Sequence, residues 1–546
     1  MSKLNLNLTK EQENIINAKE DSFKINAVAG SGKTTTLLEY ARKNSHLKIL
    51  YLAYNKSLQT SLQKKLHEYK LSHMHVSTIH SLAYQKIGAY EYNLAHDLKV
   101  QVIEKLLNGY EQTFNHKNNY YPVAEYIALI KDLVNFYCNS SLIALDMKLL
   151  ETYKKQADLS AKILELLNKD EQKALNHLKH ILSAMKNKLV DATHDFYLKM
   201  FYLNKKVSTN LPYDLILVDE AQDISDVMIG IVENQNCRRI YVGDSFQQIY
   251  SFRYAINALN KLELPEYELS KSFRFSDSYA KLLEKNLNSL YEKNSSKVLK
   301  ISGVQTNTNV GEKAIDYDKQ ICVIARSTFG LIQQIVHFIQ DDKKIYFEGN
   351  YNSYSFMNQT VYSIFYLKEK KNDKITMDEI KDFETIQELE QFAKDTKNQD
   401  YLNIIKFINT YGDNIFEINK KIKSKITTNK DAADIIFTTT HKSKGLEYEQ
   451  VIMADDFITK KELSNPKNKV SFLKLQEELN IYYVAATRVK SAIWQASLNL
   501  DYVYKEGDEN NYSKSNYSTK KTSSKKMKQM QEEWLKQNRV NRINAF

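Results

Sequence analysis

Short apolar runs of strand length recur near the start, middle and end of this chain, and long polar segments with helical spacing separate them. The first runs are Ile25-Asn-Ala-Val-Ala29, Lys48-Ile-Leu-Tyr-Leu-Ala53 and Val76-Ser-Thr78, followed by Leu215-Ile-Leu-Val218 and Arg239-Ile-Tyr-Val-Gly243. Runs bounded by Gly, Asp or Asn and followed by a helical period read as buried parallel strands. Residues 85–205 are rich in Lys, Glu and Leu at helical spacing and almost free of Gly and Pro, which predicts a helical insertion. A second α/β core is expected from strands near 321–326, 344–348, 434–440 and 450–454, with a polar helical stretch at about 350–430 between them. No internal repeat is evident.

Two of these strands end in residues that carry chemistry. After the first comes Ala29-Gly30-Ser31-Gly32-Lys33-Thr34-Thr35. Glycines let backbone N–H groups curl around phosphates, the following helix N-terminus favours negative charge, Lys33 can reach terminal phosphates and Thr34 can ligate magnesium. The full phosphate-loop pattern has Gly six residues before the lysine, and Ala27 stands there. After the strand at 215–218 comes Asp219-Glu220-Ala-Gln-Asp223. Asp219 can hold magnesium, and Glu220 can orient or deprotonate an attacking water. Gln247, beyond the strand at 239–243, suits a γ-phosphate sensor because an amide can hydrogen-bond phosphate and water at once. ATP and Mg2+ are the implied ligands.

Length and composition frame this chemistry. At 546 residues the chain exceeds one core, and its hydrophobic share of 42% is that of a soluble globular protein. The sequence shows no secretory leader and no apolar run of membrane-spanning length. Cys138, Cys237 and Cys322 stand far apart, which fits a reducing, cytoplasmic setting. No histidine has ligand-spaced neighbours of the kind a structural metal needs, His73-Met74-His75 included. The net charge of +11 is concentrated at the end, where residues 511–546 hold nine Lys or Arg against Glu532 and Glu533. DNA contacts in the body must therefore form a local stripe. Arginine is scarce, nine of 77 basic residues. Arg253, Arg274, Arg326 and Arg488 all fall in motif-like segments, where the planar fork is expected to matter.

The motifs in this order resemble the UvrD/Rep-like group of superfamily 1 DNA helicases, most closely in style the bacterial relatives of the F-box DNA helicase, over roughly residues 6–500. Leu8-Thr9-Lys-Glu-Gln12 is similar to the adenine-reading segment, residues 27–34 and 219–223 to the two nucleotide motifs, and Gly243 to Arg253 to the sensor motif. Arg274 matches the fourth motif, Thr440 to Glu447 the fifth, with Glu447 near the ribose, and Glu478 to Arg488 the sixth. The resemblance implies two RecA-like parallel-sheet motor domains with helical insertions. Core 1A would span 1–84 and 206–270, insertion 1B 85–205, and core 2A 271–349 and 431–503. A short 2B-like insertion would cover 350–430, and a basic flexible tail with a candidate C-terminal helix 504–546.

ATP would lie between the cores, held by Gln12, Ala29, Gly30, Ser31, Gly32, Lys33, Thr34 and Thr35, with Asp219, Glu220, Gln247, Arg274 and Arg488 in the reaction. Tyr54, Tyr250 and Phe252 would stack on bases, while Asn55, Thr78, His80 and Arg253 touch the strand, although the three aromatics also suit ordinary core packing. The implied activity is ATP-driven, 3′-to-5′ movement on single-stranded DNA and tailed duplexes, in repair, recombination or replication upkeep. A DNA-activated ATPase switch, or a helicase subunit of a partner nuclease or phage-defence complex, uses the same site and stays open. The chain after Arg488 carries no nuclease-like acidic constellation, and the shortness of 350–430 puts regulation by 2B rotation in doubt. Thr193-His194-Asp195 also resembles the F-box-helicase relatives, and helix capping is its plainest reading. The tail is a candidate dock for a protein partner or a DNA anchor.

Overall fold

The computed structural model describes residues 7–110, 120–291, 298–339, 342–354, 358–458 and 472–495. The tail at 504–546, with its candidate helix and docking role, lies outside them. The chain divides into two compact units. The first holds residues 1–270 and 382–399, the second 271–381 and 400–546. Both are α/β, each built on a six-stranded parallel sheet.

In the first unit the strands are β1 (Ser22–Ala27), β2 (Ile49–Leu52), β3 (Met74–Ser77), β4 (Leu215–Val218), β5 (Arg238–Gly243) and β6 (Glu266–Leu269). Their spatial order is β6-β1-β5-β4-β2-β3. Period-2 alternation deals the apolar side chains to the two faces. Ile25, Ile49, Leu215, Leu217, Ile240 and Val242 pack with Leu37, Leu38 and Ala41 of the helix Lys33–Lys43. Leu50, Leu52, Ile216, Val218 and Tyr241 face the other way, onto Leu198 and Phe201 of the helix His194–Leu203 and Val227 of Asp226–Glu233. Because β1, β5 and β4 are adjacent and parallel, the loops that follow them emerge together at one edge, where ligands bind in open α/β sheets.

The segment between β3 and β4 is helical, as its spacing predicts, and builds its own core. Ile130, Leu133 and Val134 of Tyr120–Asn139 pack there with Leu175, Leu178 and Ile181 of Glu171–Lys186. Helix Ile386–Asp395, although it comes late in the chain, packs on Tyr120–Asn139 and on Ala161–Lys169. Next to it, Lys397 reaches the carboxylate of Asp158 at 2.6 Å.

The second unit contains β7 (Asn309–Val310), β8 (Ile321–Ala325), β9 (Ile345–Phe347), β10 (Ile435–Thr439), β11 (Tyr448–Met453) and β12 (Val489–Gln495), in the order β7-β12-β11-β8-β10-β9. Strands β8 and β10 are buried throughout, consistent with central strands covered on both sides. Among the described residues no helix is long and apolar enough to cross a membrane.

Candidate nucleotide and nucleic-acid site

The loop after β1 takes two left-handed glycines, Gly30 at φ 74° and Gly32 at φ 78°. Gly32 is also the N-cap of the helix Lys33–Lys43 and offers no capping side chain. The first turn of that helix therefore presents its N–H groups to whatever lies before it, which is the arrangement that suits a phosphate. Ser31 Oγ is buried and without a hydrogen-bond partner among the described residues. Gln12 closes the loop from the far side. It completes a capping box with Thr9 on the helix Lys10–Ile16, and its amide donates to the Ser31 carbonyl at 3.4 Å.

Lys33 Nζ lies 3.2 Å from Glu220 Oε1. Burial pulls the lysine's pKa down, but the charges of Glu220, Asp219 and Asp244 outweigh it and the net shift is upward. Glu220 sits in the left-handed region at φ 52°, an uncommon conformation for a side-chain-bearing residue and one that clusters at functional sites. Its other oxygen accepts from the Gln222 amide at 2.6 Å, and Gln222 Oε1 accepts from the Asp244 N–H at 3.0 Å. Gly243 makes room for this bridge, since a Cβ there would fall 2.2 Å from Gln222 Oε1. Gln247 donates to Asp244 at 2.7 Å. One network thus joins Lys33, Glu220, Gln222, Asp244 and Gln247.

Asp219 is buried, and its pKa is raised to about 6 by burial and the neighbouring Glu220 charge, against the pull of Lys33. The Tyr51 hydroxyl donates to Asp219 Oδ2 at 2.7 Å and also hydrogen-bonds Thr34. Thr34 and Asp219, the two candidate magnesium ligands, are therefore held by one phenol. Nothing in the sequence separates Tyr51 from a core aromatic of β2. Its role appears only from the pairing of Tyr51 with Leu217 across β2 and β4. An ionisable carboxylate, a hydroxyl, an uncapped helix start and an unpartnered buried Ser31 Oγ fit a magnesium–nucleotide. When bound, the metal would neutralise phosphate charge.

A cavity of about 510 Å³ opens beside this edge. Tyr54, Asn55, His80, Tyr250, Phe252 and Arg253 all line it, together with Asp219 and Asp223. Tyr54 and Tyr250 stack at 5.7 Å and 22°. The Arg253 guanidinium lies 5.8 Å from the Tyr250 ring centre and 5.7 Å from that of Phe252, which is itself 64% exposed. Tyr54 and Tyr250 thus pack on each other and line the cavity at once. Asn55 and Thr78 are N-caps, accepting from the Leu58 and Ser81 N–H groups. Thr78 is buried behind the cavity wall and does not line it.

Thr193 is an N-cap, accepting from the Phe196 N–H, so the plain reading of that triplet describes it. All three residues, Thr193, His194 and Asp195, also line the cavity. Asp195 Oδ1 is 3.2 Å from His80 Nε2, and Oδ2 accepts from Asn139 at 3.0 Å. Burial would raise the Asp195 pKa, but hydrogen bonds from His80 and Asn139 and the charges of His80 and Arg253 lower it overall. His194 lies beside His80 and His96, and burial together with those two rings lowers its pKa.

Arg274, Glu447 and Arg488 form a second cluster, wholly within the second unit. Arg274 Nε donates to Glu447 at 3.1 Å and Nη1 to the Thr487 carbonyl at 2.6 Å. Lys490 holds the other oxygen of Glu447 at 2.8 Å. Arg488 is buried and donates to the carbonyls of Val484 (2.8 Å) and Leu446 (3.2 Å) and to Thr487 Oγ1 (3.1 Å). Arg326 forms a bidentate pair with Glu478, at 2.8 and 2.6 Å.

A parallel α/β sheet with a glycine-bounded loop, an uncapped helix start and an acid pair at one edge is the arrangement that suits a bound nucleotide. Residues 8–266 match the UvrD/REP helicase N-terminal domain. The chain is 28% identical over 519 residues to F-box DNA helicase 1 of Gallus gallus, covering 89% of this chain and 48% of the relative. Over 526 residues it is 28% identical to F-box DNA helicase protein 1 of Schizosaccharomyces pombe, covering 89% of this chain and 57% of the relative. The chain thus spans about half the length of these curated relatives.

Proposed function

We propose that this protein is an ATP-dependent DNA helicase that translocates on single-stranded DNA with 3′-to-5′ polarity. One observation carries the reading. The turn after β4 serves two sites: Glu220 faces Lys33, while Asp223, Ile224 and Ser225 line the cavity with Tyr54, Tyr250 and Arg253. Strain at Glu220 gives this turn a conformation that occupancy of either side would influence. Aromatic rings serve any base, so a stacking wall suits a strand of arbitrary sequence.

Lys33 and the N–H groups of the loop would bind the terminal phosphates of ATP, Thr34 and Asp219 would hold magnesium, and Gln12 would read the base. Glu220 would orient and deprotonate the attacking water, and Gln247 would sense the γ-phosphate. Arg274 and Arg488 would stabilise charge from the second unit, with Glu447 near the ribose. The assignment of 1–84 and 206–270 as 1A, 85–205 as 1B, 271–349 and 431–503 as 2A and 350–430 as a short 2B belongs to the same proposal. So do the cytoplasmic setting, which the free Cys138, Cys237 and Cys322 suit, and a role in DNA repair, recombination or replication upkeep.

The test is ATP hydrolysis with and without single-stranded DNA, followed by displacement of strands from duplexes with a 3′ or a 5′ tail. DNA-stimulated hydrolysis with displacement on the 3′ tail alone is expected. Stimulated hydrolysis with no displacement on either would mark a DNA-activated ATPase switch, and no hydrolysis at all would refute the site.

A further inference from the structure

The loop Tyr250–Arg253 presents Phe252 and Arg253 to the cavity, and the residue that ends it is unusual. Tyr254 stands at φ 56° and ψ 28°, a conformation that bulky L-residues rarely adopt. Among the described non-glycine residues with positive φ it is the only aromatic one. A glycine would take this backbone without strain, so the side chain must offset the conformation it imposes.

The contacts show how. The Tyr254 ring meets Phe136 edge-on at 5.2 Å, and its hydroxyl hydrogen-bonds Asp132. Asp132 also accepts from the Tyr153 hydroxyl at 2.7 Å. Phe136 and Tyr153 are buried in the core of the helical insertion, against which Tyr254 packs. On the other side of the loop's end, Ala255 and Ile256 pair antiparallel with Ser225 and Ile224, in the turn that carries the acids. One residue therefore joins the insertion to a loop that itself adjoins the nucleotide turn.

We propose that Tyr254 is a positioning residue: anchored on Asp132 and Phe136, it lets the helical insertion hold Phe252 and Arg253 in register for single-stranded DNA. This rests on the DNA-dependent ATPase reading above. It gives the insertion a positioning task beyond the His194 and Asp195 side chains that it already sets in the cavity wall, where Tyr254 itself also stands.

The experiment compares Tyr254→Gly, Tyr254→Phe and Asp132→Asn in the full chain, using a single-stranded oligonucleotide to stimulate hydrolysis. Tyr254→Gly removes the anchor while relieving the backbone. The DNA concentration for half-activation should rise at least about five-fold, the lower range for one lost base stack. The unstimulated rate should stay unchanged, and amide exchange over 248–256 should quicken. Tyr254→Phe keeps the ring and loses the hydroxyl, so it should fall between glycine and wild type. Asp132→Asn keeps an acceptor and should stay near wild type. Half-activation within two-fold of wild type in Tyr254→Gly would overturn the proposal. So would a fall in the unstimulated rate and melting temperature in step with the DNA response, which marks mere packing. If DNA fails to stimulate the wild type, the underlying reading falls and this proposal with it. If stimulation is present but indifferent to Tyr254→Gly, only this proposal falls.

Discussion

Replacing Lys33 by alanine takes away the cation that lies 3.2 Å from Glu220 and offsets the charges of Asp219 and Asp244. The side chains of the pair are 13% and 20% exposed, between surface and core. Breaking a fully buried pair costs about 3–5 kcal/mol, and losing an exposed one about 0–1. Roughly 2 kcal/mol is therefore expected for the nucleotide-free protein at pH 8. The dependence on pH follows from Asp219. Its pKa already stands at about 6 with Lys33 present, and removing the lysine drives it higher. A carboxylate with a raised folded pKa binds more protons folded than unfolded, so stability falls as pH rises through that value and is recovered below it. The deficit of Lys33→Ala should thus shrink between about pH 7 and pH 5 as the acids take up protons. Neutralising the stranded acid should have the same effect at pH 8, so Lys33→Ala with Glu220→Gln should be more stable than Lys33→Ala alone. Melting temperatures of wild type, Lys33→Ala, Glu220→Gln and the double variant at pH 8 and pH 5, without nucleotide, provide the assay. At about 2–4 °C per kcal/mol for a domain of moderate size, the differences are measurable. A deficit that is equal at both pH values, with no rescue in the double variant, would refute the electrostatic account of this site.

Four further outcomes are expected. Glu220→Gln keeps the shape and the contact with Gln222 but removes the base, so ATP should bind and turnover should fall by orders of magnitude, as equilibrium binding beside steady-state hydrolysis would show. Hydrolysis should decline as pH drops through about 6, where Asp219 takes a proton. In Tyr51→Phe, which loses the hydrogen bond that favours the Asp219 carboxylate, a pH–rate profile should place that limb at higher pH. Arg274→Lys loses the planar fork that spans Glu447 and the Thr487 carbonyl, and Arg488→Lys loses its fork, so both should cut DNA-stimulated turnover strongly. Arg238→Lys, at an exposed pair with Asp21, should leave rate and melting temperature unchanged.

Strand and loop positions were legible because the first core follows local rules. Apolar runs bounded by Gly or Asp could only be buried strands, and Gly30, Gly32 and Lys33 follow one directly. Partnerships that close over long sequence distances were not legible. Tyr51 reads as one more aromatic in an apolar run until β2 is placed beside β4. His80, Asn139 and Asp195 come from three segments whose helices must first pack before one hydrogen-bond network exists. Gln222 stands in plain view within the acidic motif, yet its bridge from Glu220 to Asp244 depends on the close approach that Gly243 permits. Tyr254 looks like any of the 37 tyrosines, because a positive φ leaves no mark on an aromatic residue's sequence context. Residues 382–399 carry an amphipathic helical pattern, but periodicity does not say which core will receive the apolar face.

That last segment bears on how the protein is made. Synthesis proceeds from the N-terminus, and the first unit closes only when 382–399 has emerged, after all of 271–381 has been made. At about 5–20 residues per second, that intervening stretch takes on the order of ten seconds. Throughout that interval the faces of Tyr120–Asn139 and Ala161–Lys169 that will receive helix Ile386–Asp395 wait uncovered on the ribosome. The two units are therefore interleaved in birth order, and a nascent chain halted between Ser270 and Asp382 would hold a nearly complete nucleotide site on an unfinished body.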